Sequence, residues 1–122
     1  MHTVLVVEDE FLIRLHVVDL FRDHEFEVLE APDGTTALQI LQGNQPVDAV
    51  FTDVSLPGRP DGFGIARWVR AHRPSTPVVL TSGEVTEAHA AAVSGNERFF
   101  AKPCDYAEVV AFIRTELEKR HA

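Results

Sequence analysis

Short apolar runs rich in β-branched residues alternate along the chain with longer stretches of helical periodicity, and this alternation limits the fold more than any other feature. Val4-Leu5-Val6-Val7 is apolar at every position and closed by Glu8 and Asp9, the pattern of a strand buried on both faces. From Glu10 to Asp23, Phe11, Leu12, Leu15 and Val18 recur at three- and four-residue steps, with Phe21 as a further candidate. That spacing predicts a first helix carrying these residues on one stripe, the face such a helix turns to a core. Phe26 to Glu30 reads as a second strand. Asp33 then stands where its side chain can cap the free amides of a helix bearing Ala37, Leu38, Ile40 and Leu41, which Gly43-Asn44 ends.

Val47, Ala49, Val50 and Phe51 lead into Thr52-Asp53, so Asp53 falls at the carboxyl end of a third strand, and the turn-rich segment from Ser55 to Gly62 follows. A third helix with Phe63, Ile65, Ala66 and Val69 must stop before Pro74. Pro77 to Thr81 is a fourth strand, Ser82-Gly83 opens a loop, and Thr86 to Val93 is an alanine-rich fourth helix. Arg98 to Ala101 is a fifth strand, and Tyr106, Val109, Val110, Ile113 and Leu117 mark a closing fifth helix. Five strand–helix units with short connections predict an α/β fold: a doubly wound parallel five-stranded sheet, covered by helices on both faces through right-handed crossovers. The expected strand order is the flavodoxin-like 2-1-3-4-5.

The 122 residues, 45% of them hydrophobic, suit one domain with one contiguous core, spanning residues 1–122 without linker, repeat or room for an output domain. A formal charge of -8 opposes approach to nucleic acid or to an anionic membrane, both of which require a clustered basic face. The apolar run before Glu8 is too short for a signal sequence or a membrane span. With Cys104 alone no internal disulfide can form, and the cytoplasm is the simplest location. Cys104 lies near the start of the last helix, where a helix dipole can lower a thiol pKa, but without a resolving partner it is read as passive.

In an open parallel sheet, functional groups gather at the carboxyl ends of the strands. There this sequence sets Glu8 and Asp9 after the first strand, Asp53 after the third, Thr81 and Ser82 after the fourth, and Lys102-Pro103 after the fifth. Three carboxylates brought together repel unless a cation lies between them, and oxygen-only ligands suit a hard divalent ion, magnesium first and manganese as a substitute. With the ion and Lys102 balancing charge on a transferring phosphoryl group, a carboxylate oxygen of Asp53 is a competent nucleophile, and Thr81 can hydrogen-bond the product.

Val7-Glu8-Asp9, Asp53 with Leu56-Pro57, Thr81-Ser82-Gly83 and Lys102-Pro103, in that order and spread over essentially the whole chain, resemble the signature of bacterial two-component response-regulator receiver domains. The resemblance implies that Asp53 is the phospho-acceptor and that Glu8, Asp9, Asp53 and the backbone carbonyl of Ser55 hold the metal. Lys102 would contact the phosphoryl group, beside a loop of Ser82, Gly83 and Pro103. Thr81 and Phe99 would form a switch in which the hydroxyl moves toward the phosphoryl group and the aromatic ring turns inward. The partners implied are a histidine kinase or histidine phosphotransfer protein upstream. Downstream stands a protein target, met through the face of helix 4, strand 5 and helix 5 by a monomer or a phosphorylation-dependent dimer. Such a domain promotes its own phosphorylation and is not a turnover enzyme.

Three features depart from the family's commonest form. The turn from Pro57 to Gly62 is one residue longer, with Pro60 beside Gly58 and Arg59; Phe99 lacks the tyrosine hydroxyl, so an inward state rests on packing alone; and Ser55 and Gly83 are small where the family tunes access of water. Taken singly, each motif has a plainer reading. Glu8-Asp9-Glu10 can be an acidic helix start, Asp53 a turn cap, Thr81 a satisfied strand end and Lys102 a surface ion pair. Phe99 and Phe100 point to opposite sides of their strand, with Phe100 the better core residue. His2, His16, His24, His72, His89 and His121 lack metal-ligand spacing and are assigned no chemistry, and Trp68 is left open. Competing functions are a receiver cut from a hybrid kinase or longer regulator, an aspartate-nucleophile magnesium phosphatase, and a phosphorylation-independent binding module. The phosphatase reading wants a second acid two residues after the nucleophile, where Ser55 stands.

Overall fold

The computed structural model describes residues 1–84 and 86–120. Five strands and five helices alternate: β1 (Thr3–Val7), α1 (Phe11–Asp23), β2 (Glu27–Ala31), α2 (Gly34–Gln42), β3 (Ala49–Asp53), α3 (Gly62–His72), β4 (Val78–Ser82), α4 (Glu87–Ala92), β5 (Glu97–Ala101) and α5 (Tyr106–Lys119). All strand pairs are parallel and the order is β2-β1-β3-β4-β5, as the alternation predicts.

Side chains of a strand alternate between faces, so the apolar β1 feeds two cores at once. Val4 and Val6 pack with Val18, Phe21, Phe51, Phe100 and Ile113 on the side of α1 and α5. Leu5 and Val7 pack with Ala37, Leu41, Ile65, Val69 and Leu80 on the side of α2 and α3. Phe100 and Phe99 divide between these cores as expected, Phe100 buried on the α5 side and Phe99 partly buried on the other. Trp68, half-buried on α3, packs against the second core and stacks on His72, ring centroids 4.4 Å apart.

The caps explain several boundaries. Asp33 accepts a hydrogen bond from the Thr36 amide (2.7 Å), Asp61 from Gly64 (2.9 Å) and Thr86 from His89 (3.0 Å). At α5, Asp105 accepts from the Ala107 amide at 2.9 Å.

The first helix buries Val18 and Phe21 of the expected stripe and corrects the rest of it. Phe11, Leu12 and Leu15 are 63%, 77% and 43% exposed, and the buried face of α1 is Val17, Val18 and Phe21. A three- and four-residue spacing fits either of two faces offset along this helix, and only the crossing of α1 over β1 selects the one carrying Val17. The fourth helix is shorter than expected, with Thr86 as its cap and no buried residue of its own. Among the described residues no helix is long and apolar enough to cross a membrane.

Candidate functional site

Parallel register brings the carboxyl ends of β1, β3, β4 and β5 into line. Val7 lies opposite Thr52, Asp53 opposite Thr81, and Ser82 opposite Ala101. Backbone hydrogen bonds continue one residue beyond the strand ends: Glu8 donates to Ala31 (3.1 Å), Val54 to Thr81 (2.9 Å) and Lys102 to Ser82 (2.8 Å). The residues that carry chemistry therefore leave the sheet from fixed backbone positions and not from free loops.

Glu8, Asp9 and Asp53 each offer a carboxylate oxygen, and these oxygens lie within 4.8 Å of one another. Lys102 reaches across the sheet edge, its Nζ 2.7 Å from Asp53 Oδ2 and 3.6 Å from Glu8 Oε1. The other Asp53 oxygen, Oδ1, accepts a hydrogen bond from the Ser55 amide at 3.1 Å. Glu8 is the most enclosed of these three acids, with a side chain 5% exposed.

Burial first, then a hydrogen bond with Asp9 and the charge of Asp53, push the Glu8 carboxyl from its ordinary 4.5 up to about 7, against the opposing Glu10 amide and Lys102 ammonium. For Lys102, burial favours the neutral amine, but hydrogen bonding and charge from Asp53, with Glu8 added, outweigh it and raise the pKa. One ammonium thus faces a cluster with more negative charge than it can neutralise. The oxygen donors fit a hard divalent cation, whose charge would favour the ionised form of all three carboxylates.

Thr81 is buried, and its Oγ1 sits 3.5 Å from the Thr52 carbonyl oxygen. Ser82, also buried, accepts from the Glu84 amide at 3.1 Å, while Gly83 is exposed and a methyl group there would meet nothing within 4 Å. Pro103 follows Lys102 through a cis bond. Phe99 stands apart from the carboxylates, stacked on His89 with centroids 5.4 Å apart. The structure therefore brings Glu8, Asp9, Asp53, Ser55 and Lys102 together, with Thr81 beside Asp53 in register, and sets Phe99 apart against His89 of α4.

Cys104 fits its reading as a passive residue. Burial raises its thiol pKa, outweighing the Tyr106 hydrogen bond that opposes it, so no helix-dipole activation results. Tyr106, half-buried beside that thiol, is likewise raised, by desolvation first.

Three residues bear on the site without having been singled out. Arg14 on α1 donates from Nη1 to the Glu8 carbonyl (2.8 Å) and from Nε to Glu30 (3.2 Å), tying the acidic turn to the edge strand β2. A lone basic residue one helical turn after an acidic cluster was its only signal. Gly62 lets the long turn close on the acceptor, since a Cβ there would meet the Asp53 carbonyl oxygen at 2.4 Å and Val54 Cα at 2.7 Å. His89, one of the histidines assigned no chemistry, bridges α3, α4 and β5. His121 lies outside the described residues.

Residues 4–114 match the family described as the response regulator receiver domain. Regulatory protein VirG of Agrobacterium tumefaciens (strain 15955) is 33% identical over 96% of this chain and 44% of its own length. Sensor kinase CckA of Brucella abortus (strain 2308) is 31% identical over 97% of this chain and 13% of its own. The chain thus spans less than two thirds of the length of these curated relatives. Among solved structures, a response regulator receiver protein from Sinorhizobium medicae WSM419 superposes with a TM-score of 0.90 at 27% identity, covering 98% of this chain and 96% of that one.

Proposed function

The chain belongs to the response regulator receiver domain family of two-component signalling, and on that premise we propose that it accepts a phosphoryl group on Asp53 in a magnesium-dependent transfer from a phosphohistidine. The observation that carries this reading is the Lys102 ammonium 2.7 Å from Asp53 Oδ2, in a cluster where Glu8 and Asp9 lie within 4.8 Å of the same carboxylate.

In this reading Glu8, Asp9, Asp53 and the Ser55 carbonyl hold the ion, with manganese as a substitute. Bound magnesium supplies positive charge that screens the incoming phosphoryl oxygens and leaves an Asp53 oxygen free to approach phosphorus. An Asp53 carboxylate oxygen forms the new P–O bond, the donor's P–N bond breaks, and the electron pair returns to the imidazole nitrogen. The Ser55 amide orients the Asp53 carboxylate. Lys102 exchanges its contact with Asp53 for one with the transferred group, beside Ser82, Gly83 and Pro103. Thr81 turns its hydroxyl from the Thr52 carbonyl toward the phosphoryl oxygens, and Phe99 shifts with it. Phosphorylation adds about -1.5 to -2 charge units for one carboxylate charge, and it acts by favouring one of two existing surfaces.

The donor is a histidine kinase or histidine phosphotransfer protein. Support for where it docks comes from the exposed Phe11, Leu12 and Leu15 on α1, which begins immediately beyond the Asp9-Glu10 turn: an apolar face beside the acceptor invites a partner that covers it. The downstream target is a protein that meets the α4, β5 and α5 face. The domain acts in the cytoplasm, promotes its own phosphorylation and turns over no separate substrate. A second reading, that this receiver works within a longer regulator or a hybrid kinase, draws support from the share of VirG and CckA that the chain spans.

Incubation with a small acyl-phosphate donor and magnesium, followed by intact mass, tests the proposal. A phosphoryl adduct on the wild type and none on Asp53→Asn is expected. An unmodified wild type, with a second receiver phosphorylated by the same donor, refutes it.

A further inference from the structure

Helix α4 has no buried residue, yet its His89 reaches β5. Its N-terminal half is fastened through one side chain. The His89 ring stands between Phe63 at the start of α3 and Phe99 in β5, each 5.4 Å away by ring centroid, with the Phe99 pair stacked at 24° and the Phe63 pair tilted at 40°. His89 Nδ1 lies 2.9 Å from the Glu84 carbonyl oxygen. A carbonyl only accepts, so Nδ1 carries the proton in that contact. One imidazole therefore joins α3, β5 and the loop that leaves β4 just beyond Thr81 and Ser82. At the other end of the helix, Arg70 donates to the Ala92 carbonyl at 3.3 Å while holding Glu97 of β5 at 2.7 Å.

We propose that His89 is the pin that fastens α4 to the sheet, and that its stack on Phe99 couples the position of α4 to the side-chain conformation of Phe99. Ring pairs are held by area and by edge-and-face electrostatics, and both fall away when one partner rotates out of contact. If Phe99 turns inward it leaves His89 facing Phe63 alone, and the loop carrying Glu84 loses the anchor that the ring supplies. The other α4 side chains are all exposed, and Val93, which packs against the core, lies beyond the helix at its far end, so nothing in the N-terminal half takes the place of this contact. Phe99 lacks the hydroxyl that could hold an inward state by hydrogen bonding, so this stack is a principal contact that its rotation must give up. His89 is a positioning residue here and touches no reacting group. The link to phosphorylation rests on the switch role proposed for Phe99; the anchoring of α4 does not.

Hydrogen exchange decides the anchoring without any phosphoryl donor. His89→Ala and Phe99→Ala should each speed exchange at the α4 amides about two- to tenfold, the double variant should add little, and His89→Phe should restore most of the protection. Unchanged α5 amides report that each variant is folded. Unchanged α4 exchange in both single variants, or fully additive effects in the double one, overturns the proposal. The second measurement follows the His89 ring resonances after acyl phosphate and magnesium, with adduct formation on Asp53 read separately by intact mass. Modified protein should show displaced His89 signals, with His24 and the Asp53→Asn protein unmoved. Adduct formation with an unmoved His89 ring refutes the coupling. Failure to form an adduct overturns the phospho-acceptor reading, while exchange still settles whether His89 pins α4.

Discussion

Replacing Glu8 by Gln should stabilise the metal-free protein above neutral pH and leave it little changed in acid. The side chain is 5% exposed and lies among Asp9, Asp53 and Lys102, an environment that lifts its pKa from 4.5 to about 7. The folded chain thus binds the Glu8 proton more tightly than the unfolded chain does. Stability from this group is complete below 4.5, is lost as pH rises through the window up to about 7, and changes no further above it. At about 1.4 kcal/mol per tenfold in proton affinity the displacement amounts to about 3 kcal/mol. Roughly 2.5 kcal/mol of that falls between about pH 5 and about pH 8. Glutamine has nearly the same shape and never ionises, so the difference between variant and wild type isolates this one titration from all others. Urea denaturation of both proteins with a chelator present, across that range, measures it. The variant's advantage should grow with pH, and added magnesium should then favour the wild type, which alone offers the third carboxylate. A difference that stays constant with pH, or a variant weakened most at high pH, refutes the assignment of Glu8 as a carboxyl whose pKa is raised chiefly by burial.

Removing the Lys102 ammonium with Lys102→Met should slow adduct formation at Asp53 by about 10²-fold or more at saturating magnesium, because one positioned cation on the transferring group is lost; time-resolved intact mass reads the rate. Gly62→Ala should cost on the order of 1–3 kcal/mol in urea denaturation, since the new Cβ meets backbone at the Asp53 carbonyl and cannot be relieved by a side-chain rotation. On α1, Phe21→Ala should cost about 3–5 kcal/mol, and Leu12→Ala should stay within about 0.5 kcal/mol. Equal losses would return Leu12 to the buried stripe.

The strand–helix alternation was legible because it depends on local rules. A β1 apolar at every position can be satisfied only with cover on both faces, and five such units leave little but a parallel doubly wound sheet. The acids, hydroxyls and lysine were legible for a related reason: the carboxyl end of a strand is a position in sequence as well as in space, so Glu8, Asp53, Thr81 and Lys102 can be aligned by counting. The buried face of α1 was legible only in part, at Val18 and Phe21. Phe11, Leu12 and Leu15 satisfy the helical period as well as Val17, Val18 and Phe21 do, and periodicity carries no information about which way a helix is turned.

Sequence by itself thus determined the order of the elements and the set of groups at the sheet edge. Tertiary structure alone decided how those groups act on one another. The rise in the Glu8 pKa comes first from burial, then from the adjacent Asp9 and from Asp53 at the end of β3, while Lys102 in the turn after β5 opposes it. His89 becomes an anchor only because α3 and β5 bring Phe63 and Phe99 to either side of it. Burial, electrostatic coupling and ring stacking all depend on distances between elements, and those distances are set by packing across the whole domain and not by the residues on either side in the chain.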